Sequence, residues 1–364
     1  MIDVVGHFGS RFSYATVGAQ VCRALEAAGR LGNVTNIDES WLDDYADIQS
    51  ATSRQTGQHL LLMVDAQEWI YEAYARKYNP KCIAIFSSPN TDRLDRERAI
   101  VAGNVGLVLV PSRWCERSVQ NSMKFVSEPL VVPWITRVPL GVSPRFMEVP
   151  RNRKRAERIR FVHLATDFAW PGRKGTEELL AAWGRAQKAI NDRAELRVHV
   201  PMEVYESAHY AVADLDLENV TVEIGQERGS TEDDLARIYE ETDVLVQPSR
   251  CEGFGLMILA ACVSQTPLVT TYATGHVDFL SEMHGWLGVA TCDRYSTLVL
   301  EEGSAPVVEP DVLAPILVSA ACSPVLDFLH EKAARNEERA MQWCWEYAMG
   351  DWIDILERWR RSTT

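Results

Sequence analysis

Short runs of aliphatic and β-branched residues alternate along this chain with longer segments in which apolar residues recur every three or four positions. The short runs predict strands at 2–5, 31–37, 60–64, 82–86, 105–110, 135–140, 160–164, 196–200, 220–224, 244–246 and 267–271. The longer segments predict helices at 13–28, 69–78, 176–190, 233–241, 256–263 and 311–321. Because strands that are apolar throughout alternate with helices, the pattern predicts an α/β fold with buried parallel sheets.

The end of the chain carries a long helical stripe. From Ser323 onward the pattern predicts helix to the last residues. Apolar side chains recur there at intervals of three and four, and we expect all of them to be buried. They are Met341, Trp345, Ala348, Trp352, Ile355 and Trp359.

Length and composition favour a globular protein with two domains. A chain of 364 residues is long for one core and suits two α/β domains, and 46% of its residues are hydrophobic. The net charge of −14 argues against a generally basic nucleic-acid binder. No apolar run approaches the roughly 18 residues of a membrane span. The first residues lack the basic and hydrophobic stretches of a secretory signal, so we expect a cytoplasmic protein.

The cysteines indicate neither a disulfide framework nor a metal site. Eight are scattered along the chain without a CxxC pair or a Cys and His cluster at metal-binding spacing. We therefore expect reduced thiols, no metal and no cofactor.

A basic segment, Arg151–Arg160, interrupts this acidic chain with six basic residues and one acidic residue. It predicts the linker between a first domain at 1–150 and a second at 151–344. One interpretation is a solvated linker. The other is a binding site for a polyanionic acceptor such as a nucleic acid, because clustered cations bind phosphates.

The most informative stretch runs from Asp243 to Leu280. A short apolar strand is followed by Arg250-Cys251-Glu252-Gly253-Phe254-Gly255, an apolar helix and a second strand. Ligands of parallel sheets bind at the carboxyl ends of the strands. Free amides at the start of a helix attract anions there. The stretch therefore predicts an anion site with one carboxylate, Glu252, in its loop.

This stretch, PSRCEGFGL followed by TPLVTT and GHVDFL, resembles the donor-binding segment of retaining glycosyltransferases of the GT-B fold, family 4 or glycosyl transferases group 1. The segment DFAWPGRKG at 167–175 resembles the part of these enzymes that holds the donor diphosphate. The resemblance implies two Rossmann-like domains that face a central cleft. It also implies a last helix, about 345–364, that crosses back to the first domain.

The same resemblance implies transfer of a sugar from a nucleoside diphosphate sugar to a hydroxyl acceptor, with retention of configuration and without a metal. Arg173 and Lys174 would hold the diphosphate, and Glu252 would lie near the donor sugar. We expect the side chains of Lys174 and Glu252 to be exposed to the cleft. Further donor contacts would come from Gly253, Phe254, Gly255, Leu256, Ser249, Gly9 and His276. Acceptor-side candidates are Asn90, Thr91 and Asp92. The acceptor stays open between a saccharide, a small aglycone and a hydroxylated DNA base.

Two departures from the family pattern leave an alternative open. Ala260 stands where a second Glu is usual, on a helix turn that we expect to face the donor ribose, which predicts a loose donor site. Ala165 and Thr166 stand where an additional Arg is frequent. The alternative is a non-catalytic protein of the same fold that binds nucleotide sugars or carbohydrates. The sequence also leaves two interpretations of His276: a contact with the donor, or an ordinary hydrogen-bonded histidine.

Overall fold

The computed structural model describes residues 1–9, 13–38, 40–41, 43–53, 56–124, 126, 131–150, 157–165, 173–224, 231–289, 291–297 and 304–364. The chain forms two compact units. The first unit comprises Met1–Gly141 and Trp345–Thr364, and the second comprises Val142–Cys344.

The units divide at Gly141, before the predicted boundary at residue 150. The reason lies in the segment that follows Gly141. The amide of Val142 donates to the carbonyl of Trp343 at 2.9 Å. Arg145 forms ion pairs with Asp233 and Glu240 of the second unit. These contacts hold the segment in the second unit.

The first unit is built on a sheet of six parallel strands in the order β2-β1-β3-β4-β5-β6. Its strands are β1 (Ile2–Gly6), β2 (Leu31–Asn36), β3 (His59–Met63), β4 (Ile83–Phe86), β5 (Leu107–Val110) and β6 (Trp134–Arg137). Its first helices are α1 (Ser13–Ala27), α2 (Ala46–Gln49), α3 (Glu68–Tyr74), α4 (Arg96–Ala102) and α5 (Arg113–Met123). The strands β1, β3, β4 and β5 are buried along their whole length, as their largely apolar sequences predict, and the polar Asp3 and His59 are buried with them.

The second unit is also built on a sheet of six parallel strands, here in the order β12-β11-β10-β7-β8-β9. It adds a separate antiparallel pair of strands, β13 and β14. Its strands are β7 (Ile159–Leu164), β8 (Ala194–Val200), β9 (Val220–Ile224), β10 (Val244–Gln247), β11 (Leu268–Thr271), β12 (Trp286–Val289), β13 (Thr291–Thr297) and β14 (Ser304–Val308). Its helices are α6 (Thr176–Ile190), α7 (Tyr205–Asp214), α8 (Glu232–Glu241), α9 (Leu256–Val263), α10 (Val277–Leu280), α11 (Pro310–Ala320), α12 (Ser323–Ala333) and α13 (Glu337–Ala340). The predicted α/β class is therefore observed in both units.

The last helix, α14 (Trp345–Thr363), belongs to the first unit and packs on α1. Trp352 has no exposed surface, and its indole donates to the carbonyl of Pro139 at 2.8 Å. The indole of Trp359 donates to the carbonyl of Lys81 at 3.0 Å. These contacts explain why the apolar stripe is buried in this unit.

The expectation of one continuous helix from Ser323 is wrong. After α12 the chain passes through 3-10 turns at Ala334–Asn336 and Met341–Trp343, and the second turn carries the chain from one unit to the other. Met341 lies in that turn, outside α14, and is 53% exposed. Its place in the predicted buried stripe is therefore also wrong, whereas the other five members are buried.

Each sheet contains a topological switch point, a pair of adjacent strands whose following connections run to opposite sides of the sheet. In the first unit this point lies between β1 and β3, because β2 and β4 lie on opposite sides of that pair. In the second unit it lies between β7 and β10. Ligands of open parallel sheets bind at the carboxyl ends of such strand pairs. The loops that follow β7 and β10 are therefore the first place to look for a site.

No single helix among the described residues is both long and apolar enough to cross a membrane. Two stretches, Pro310–Ala320 and Ser323–Trp343, meet the length and composition requirement together, but they are bent by 87°.

Candidate functional site

Two loops meet at the carboxyl ends of β7 and β10. The described part of the first loop, Arg173 to Gly175, leads into α6, and the second, Pro248 to Gly255, leads into α9. Gly175 has a φ of 71°, and a side chain at this position would collide with the carbonyl of Pro248. The amide of Arg250 donates to the carbonyl of Arg173 at 2.9 Å. The glycine therefore lets the two loops touch through their backbones.

Three charged side chains converge where these loops meet. The ammonium of Lys174 lies 2.6 Å from Oε1 of Glu252, and Arg173 lies 3.4 Å from Oε2 of the same carboxylate. The hydroxyl of Ser249 also donates to Oε1, at 2.7 Å. Two cations and one carboxylate, held by loops far apart in sequence, form the charged centre of the second unit. We call Arg173, Lys174 and Glu252 the charge cluster.

Burial alone would raise the pKa of the Glu252 carboxyl group. The charges of Lys174 and Arg173 and the hydrogen bonds from Lys174 and Ser249 outweigh that effect, and they lower the pKa to about 2. Glu252 is therefore ionised throughout the physiological pH range. The charge cluster carries one net positive charge, which favours anions.

The expectation that Lys174 and Glu252 have exposed side chains is wrong. Glu252 is 5% exposed and Lys174 is 8% exposed. The physical reason is their mutual pairing, because ionised groups are tolerated in a protein interior only when they are paired and hydrogen-bonded. Substitution of either residue is therefore expected to lower the stability of the protein.

A third segment, Thr271 to His276 after β11, holds the Glu252 loop from the other side. The amide of Gly275 donates to the carbonyl of Glu252 at 2.8 Å, and the amide of Glu252 donates to the hydroxyl of Thr274 at 3.0 Å. A side chain at Gly275 would collide with the carbonyl of Gly253 and approach that of Glu252 to 2.6 Å. Thr274 has a φ of 60°, which is a strained conformation for a β-branched residue. The backbone position of Glu252 is thus fixed independently of its side chain.

His276 lies beside this loop and is fully buried. Its Nε2 hydrogen bonds to the carbonyl of Thr271 at 2.8 Å, while its Nδ1 has no hydrogen-bond partner among the described residues. Burial lowers the pKa of the His276 imidazole, and the nearby Lys174 also lowers it, whereas Glu252 acts in the opposite direction. A neutral imidazole with Nε2 protonated fits these contacts.

The loop after Glu252 starts α9. The side chain of Phe254 is 5% exposed and packs against Phe279 and Trp343, with ring centroids 5.3 and 6.4 Å away. Its side chain thus anchors the loop in the core, so any ligand contact would come from its backbone. Gly255, with a φ of 95°, is the N-cap of α9 and offers no side-chain cap to the first turn, which Leu256 begins. The first amides of α9 therefore keep their capacity to bind an anion.

The sequence analysis did not identify His163, which hydrogen bonds to β10 and to the start of α6. This residue of β7 is fully buried; its Nδ1 hydrogen bonds to the carbonyl of Val246 at 2.7 Å, and its Nε2 to the hydroxyl of Thr176 at 2.8 Å. Burial lowers the pKa of His163 to about 4, so the ring is neutral. It ties the start of α6 to β10. A polar residue inside the otherwise apolar strand Phe161-Val162-His163-Leu164 was the available signal.

The two departures from the family pattern are buried positions. Ala260 lies inside α9 with no exposed surface, so its side chain does not line an open crevice as expected. Ala165 is 2% exposed and continues the backbone ladder through a 2.9 Å hydrogen bond to the carbonyl of His199. Thr166 lies outside the described residues.

In the first unit, Gly9 follows β1 at the corresponding sheet edge. Its amide donates to Asp38 at 2.5 Å, and Asp38 also lies 2.8 Å from Nδ1 of His7. A side chain at Gly9 would approach Asp38 and the carbonyl of Ser40 to 2.6 Å. The glycine is therefore needed for this close approach within the unit, and its amide is already bonded.

The acceptor-side candidates after β4 differ in accessibility. Thr91 is fully buried, and its hydroxyl donates to the carbonyl of Arg93 at 2.7 Å. The carbonyl of Asp92 accepts a 3.3 Å hydrogen bond from Asn121, while the side chains of Asn90 and Asp92 are half-buried. Thr91 thus shapes the turn, and its neighbours present the accessible polar groups.

Most of the basic segment, residues 151–156, lies outside the described residues. Its two described arginines are paired within the second unit. Arg158 lies 2.9 Å from Asp192, and Arg160 lies 3.6 Å from Asp243. In the parts of the chain that the structure describes, no group of three or more His, Cys, Asp or Glu side chains is placed to hold a metal ion.

Comparison with known families finds a match in the second unit. The family model described as Glycosyl transferases group 1 matches residues 160–296, which contain the whole charge cluster. The resemblance predicted from the motifs is thereby confirmed for this part of the chain. A search of curated proteins finds no match.

Solved structures of glycosyltransferases share the fold. Sucrose-phosphate synthase from Thermosynechococcus elongatus superposes with a TM-score of 0.66 at 14% identity, over 100% of this chain and 99% of that protein. WaaG, a glycosyltransferase involved in lipopolysaccharide biosynthesis, gives 0.66 at 13% identity, over 98% and 99%. A mutant of S. aureus TarM in complex with fondaparinux, alpha-GlcNAc-glycerol and UDP gives 0.57 at 14% identity, over 82% of this chain. The chain spans only 55% of the length of that TarM structure. The predicted GT-B fold class is confirmed.

Proposed function

We propose that this protein is a retaining glycosyltransferase that moves a sugar from a nucleoside diphosphate sugar to a hydroxyl acceptor. The observation that carries the proposal is the charge cluster at the carboxyl ends of β7 and β10, inside the segment that matches glycosyl transferases group 1. Such a strand pair is where α/β proteins bind nucleotides. A net positive cluster beside an uncapped helix start suits a diphosphate.

Each residue of the charge cluster has a role in this proposal. Arg173 and Lys174 bind the diphosphate and stabilise the negative charge that develops on it as the sugar leaves. Because these fixed cations provide the electrostatic stabilisation, we propose that transfer needs no metal. Glu252 accepts hydrogen bonds from donor sugar hydroxyls and opposes the positive charge that develops at the anomeric carbon. The departing phosphate accepts the proton of the acceptor hydroxyl.

UDP sugars and saccharide acceptors are the first substrates to test, because the TarM structure contains UDP together with saccharides. A small aglycone or a hydroxylated DNA base remains in the acceptor panel, the latter because of the basic segment at 151–160. We also propose a cytoplasmic location. Its support is chemical: the described cysteines form no disulfide, and five of them are buried, as is usual in a reducing compartment.

The experiment is transfer with a panel of UDP, GDP, ADP and CDP sugars, read by mass spectrometry of products and by NMR of the new anomeric centre. We expect one donor to give product with its anomeric configuration retained, in the presence of EDTA. Lys174→Ala should abolish the reaction. Lys188→Ala, which removes an exposed lysine from α6, the helix that follows Lys174, is the matched control and should react like the wild type. Inverted product or dependence on added metal would contradict the proposed mechanism.

One observation favours a second candidate, a non-catalytic protein that binds nucleotide sugars or carbohydrates. Ala260 supplies no carboxylate where the resembling enzymes usually carry their second Glu. Tight binding of a nucleotide sugar by calorimetry, without transfer or hydrolysis over many hours, would support this candidate instead.

A further inference from the structure

We infer that the carboxylate of Glu252 takes the position of an anion on Lys174 and Arg173, and that a diphosphate must displace it from Lys174 before it can serve the donor sugar. This inference rests on the proposed function. It makes Glu252 a specificity-determining residue that competes with the diphosphate for the two cations. The site would then admit groups that neutralise both cations better than one carboxylate does.

The first support is the set of donors that the carboxylate already faces. Oε1 accepts hydrogen bonds from Lys174 at 2.6 Å and Ser249 at 2.7 Å, while Oε2 faces Arg173 at 3.4 Å. Both oxygens thus lie on the groups that would hold the diphosphate. A carboxylate and a phosphate oxygen make the same charge-assisted hydrogen bonds to these cations. In this arrangement Glu252 stands in for a phosphate group and cannot simultaneously offer its full acceptor capacity to a sugar.

The second support is that the loops do not need this ion pair to hold their backbones. The amide of Arg250 donates to the carbonyl of Arg173, and the amide of Gly275 donates to the carbonyl of Glu252. The hydroxyl of Thr274 accepts the amide of Glu252. These bonds fix both loops through the main chain. The main-chain position of Glu252 therefore does not depend on the contact between its carboxylate and Lys174.

Charge explains why a diphosphate would succeed where a weaker anion fails. An incoming carboxylate or other monoanion only exchanges one single charge for another, and the displaced Glu252 would lose its partners in a buried site. A diphosphate brings more than one negative charge and several acceptor oxygens for Lys174, Arg173 and the start of α9. Its gain can exceed the loss of the internal ion pair. Binding of the diphosphate then frees the carboxylate, so the donor sugar meets it only after the diphosphate has bound.

Loss of the Glu252 charge should strengthen the binding of a nucleoside diphosphate, and calorimetry can measure this change in affinity. Glu252→Gln removes the competing charge and keeps the size of the side chain. We expect the nucleoside diphosphate that the wild type prefers to bind this variant at least about tenfold more tightly, because a hydrogen bond to a charged group is worth that factor or more. The corresponding uncharged nucleoside should bind both forms equally. The full nucleotide sugar should gain less than the diphosphate, because it also loses a sugar contact.

Two controls separate the possible causes. Glu282→Gln removes the same charge from an exposed residue of the second unit that pairs with Arg339, and it should leave diphosphate affinity unchanged. Glu252→Ala provides a second test if the Gln variant does not fold, and the diphosphate should raise the melting temperature of this variant by more than that of the wild type.

The outcomes distinguish the inference from the proposed function. Equal or weaker diphosphate binding by the Glu252 variants, with measurable binding by the wild type, would overturn the displacement inference and leave the proposed function standing. Failure of the wild type and the variants to bind UDP, GDP, ADP or CDP at millimolar concentration would overturn both.

Discussion

The ammonium of Lys174 and the carboxylate of Glu252 lie 2.6 Å apart, although 78 residues separate them in the chain. Lys174 precedes α6 and Glu252 precedes α9, and the two helices follow adjacent parallel strands. The parallel pairing of β7 with β10 therefore brings the two charges together. The same contact concentrates the proposed chemistry and buries two ionised groups.

The first prediction concerns activity. Glu252→Gln and Lys174→Ala should each lower the turnover of sugar transfer by at least about 100-fold, because each removes a charge placed where charge develops in the reaction. Steady-state release of the nucleoside diphosphate measures the effect. Near wild-type turnover in either variant would show that the residue has no role in the reaction.

The second prediction concerns stability. Loss of one partner from a buried ion pair costs about 3–5 kcal/mol, and this range applies to Glu252→Gln, which leaves Lys174 and Arg173 without their carboxylate. Lys174→Met leaves Glu252 with Arg173 and Ser249 and should cost less. Each single variant should therefore unfold at lower urea concentration, and Lys174→Met combined with Glu252→Gln should cost less than the sum of the single changes. Because the pKa of Glu252 is lowered from 4.5 to about 2, its contribution is complete above pH 4.5 and is lost as the pH falls toward 2. Additive single effects would mean that the pair does not interact in solution.

The third prediction concerns His163. Its pKa is lowered from 6.5 to about 4. Between pH 6.5 and pH 4, His163 is therefore protonated in the unfolded chain and neutral in the folded protein. The free energy of unfolding should therefore fall as the pH is lowered from about 6.5 to about 4. In His163→Asn this fall should be smaller, whereas His209→Asn, at an exposed histidine, should keep the wild-type profile. Urea unfolding across this pH range measures both, and identical profiles for all three proteins would contradict the buried neutral imidazole.

The fourth prediction concerns Gly275. A methyl group at this position would collide with the carbonyl of Gly253 and crowd that of Glu252, so Gly275→Ala should shift the Glu252 loop and lower both turnover and melting temperature. Gly350→Ala is the matched control, since the added methyl would meet no atom within 4 Å apart from its chain neighbours and the backbone of its own helix. Within helix α14 that change should stabilise the protein by up to about 1 kcal/mol. Parallel assays of the two variants test whether the close approach at Gly275 is required.

The fifth prediction concerns the last helix. Trp352 is fully buried and its indole is hydrogen-bonded to Pro139, so Trp352→Ala should lower the free energy of unfolding by about 3–5 kcal/mol. Tyr347 lies on the same helix and is 67% exposed, and Tyr347→Ala should change stability by less than about 0.5 kcal/mol. Denaturant unfolding of both proteins gives the comparison. Equal effects would mean that α14 does not pack on the first unit as the structure has it.

Local patterns were sufficient to predict much of the secondary structure. The limits of α6 and α9 agree with the predicted 176–190 and 256–263. Each helix is an apolar stretch preceded directly by a glycine, so its limits can be read from nearby residues alone. At the start of α8, Thr231 and Asp234 form a capping box, a local signal for the start of a helix. The helix α4 was not predicted, since its seven residues are too few to show a clear period.

What the sequence determined by itself was therefore the class of fold, the order of strands and helices, and the identity of the loop residues that carry charge. Only the tertiary structure decided that Lys174 and Glu252 are buried partners, that His163 braces Thr176, and that Met341 lies outside the buried stripe. The physical reason is range. Helix and strand patterns depend on neighbours a few residues away, whereas burial, ion pairing and pKa depend on which distant strands lie side by side, and this is settled when the parallel sheets form.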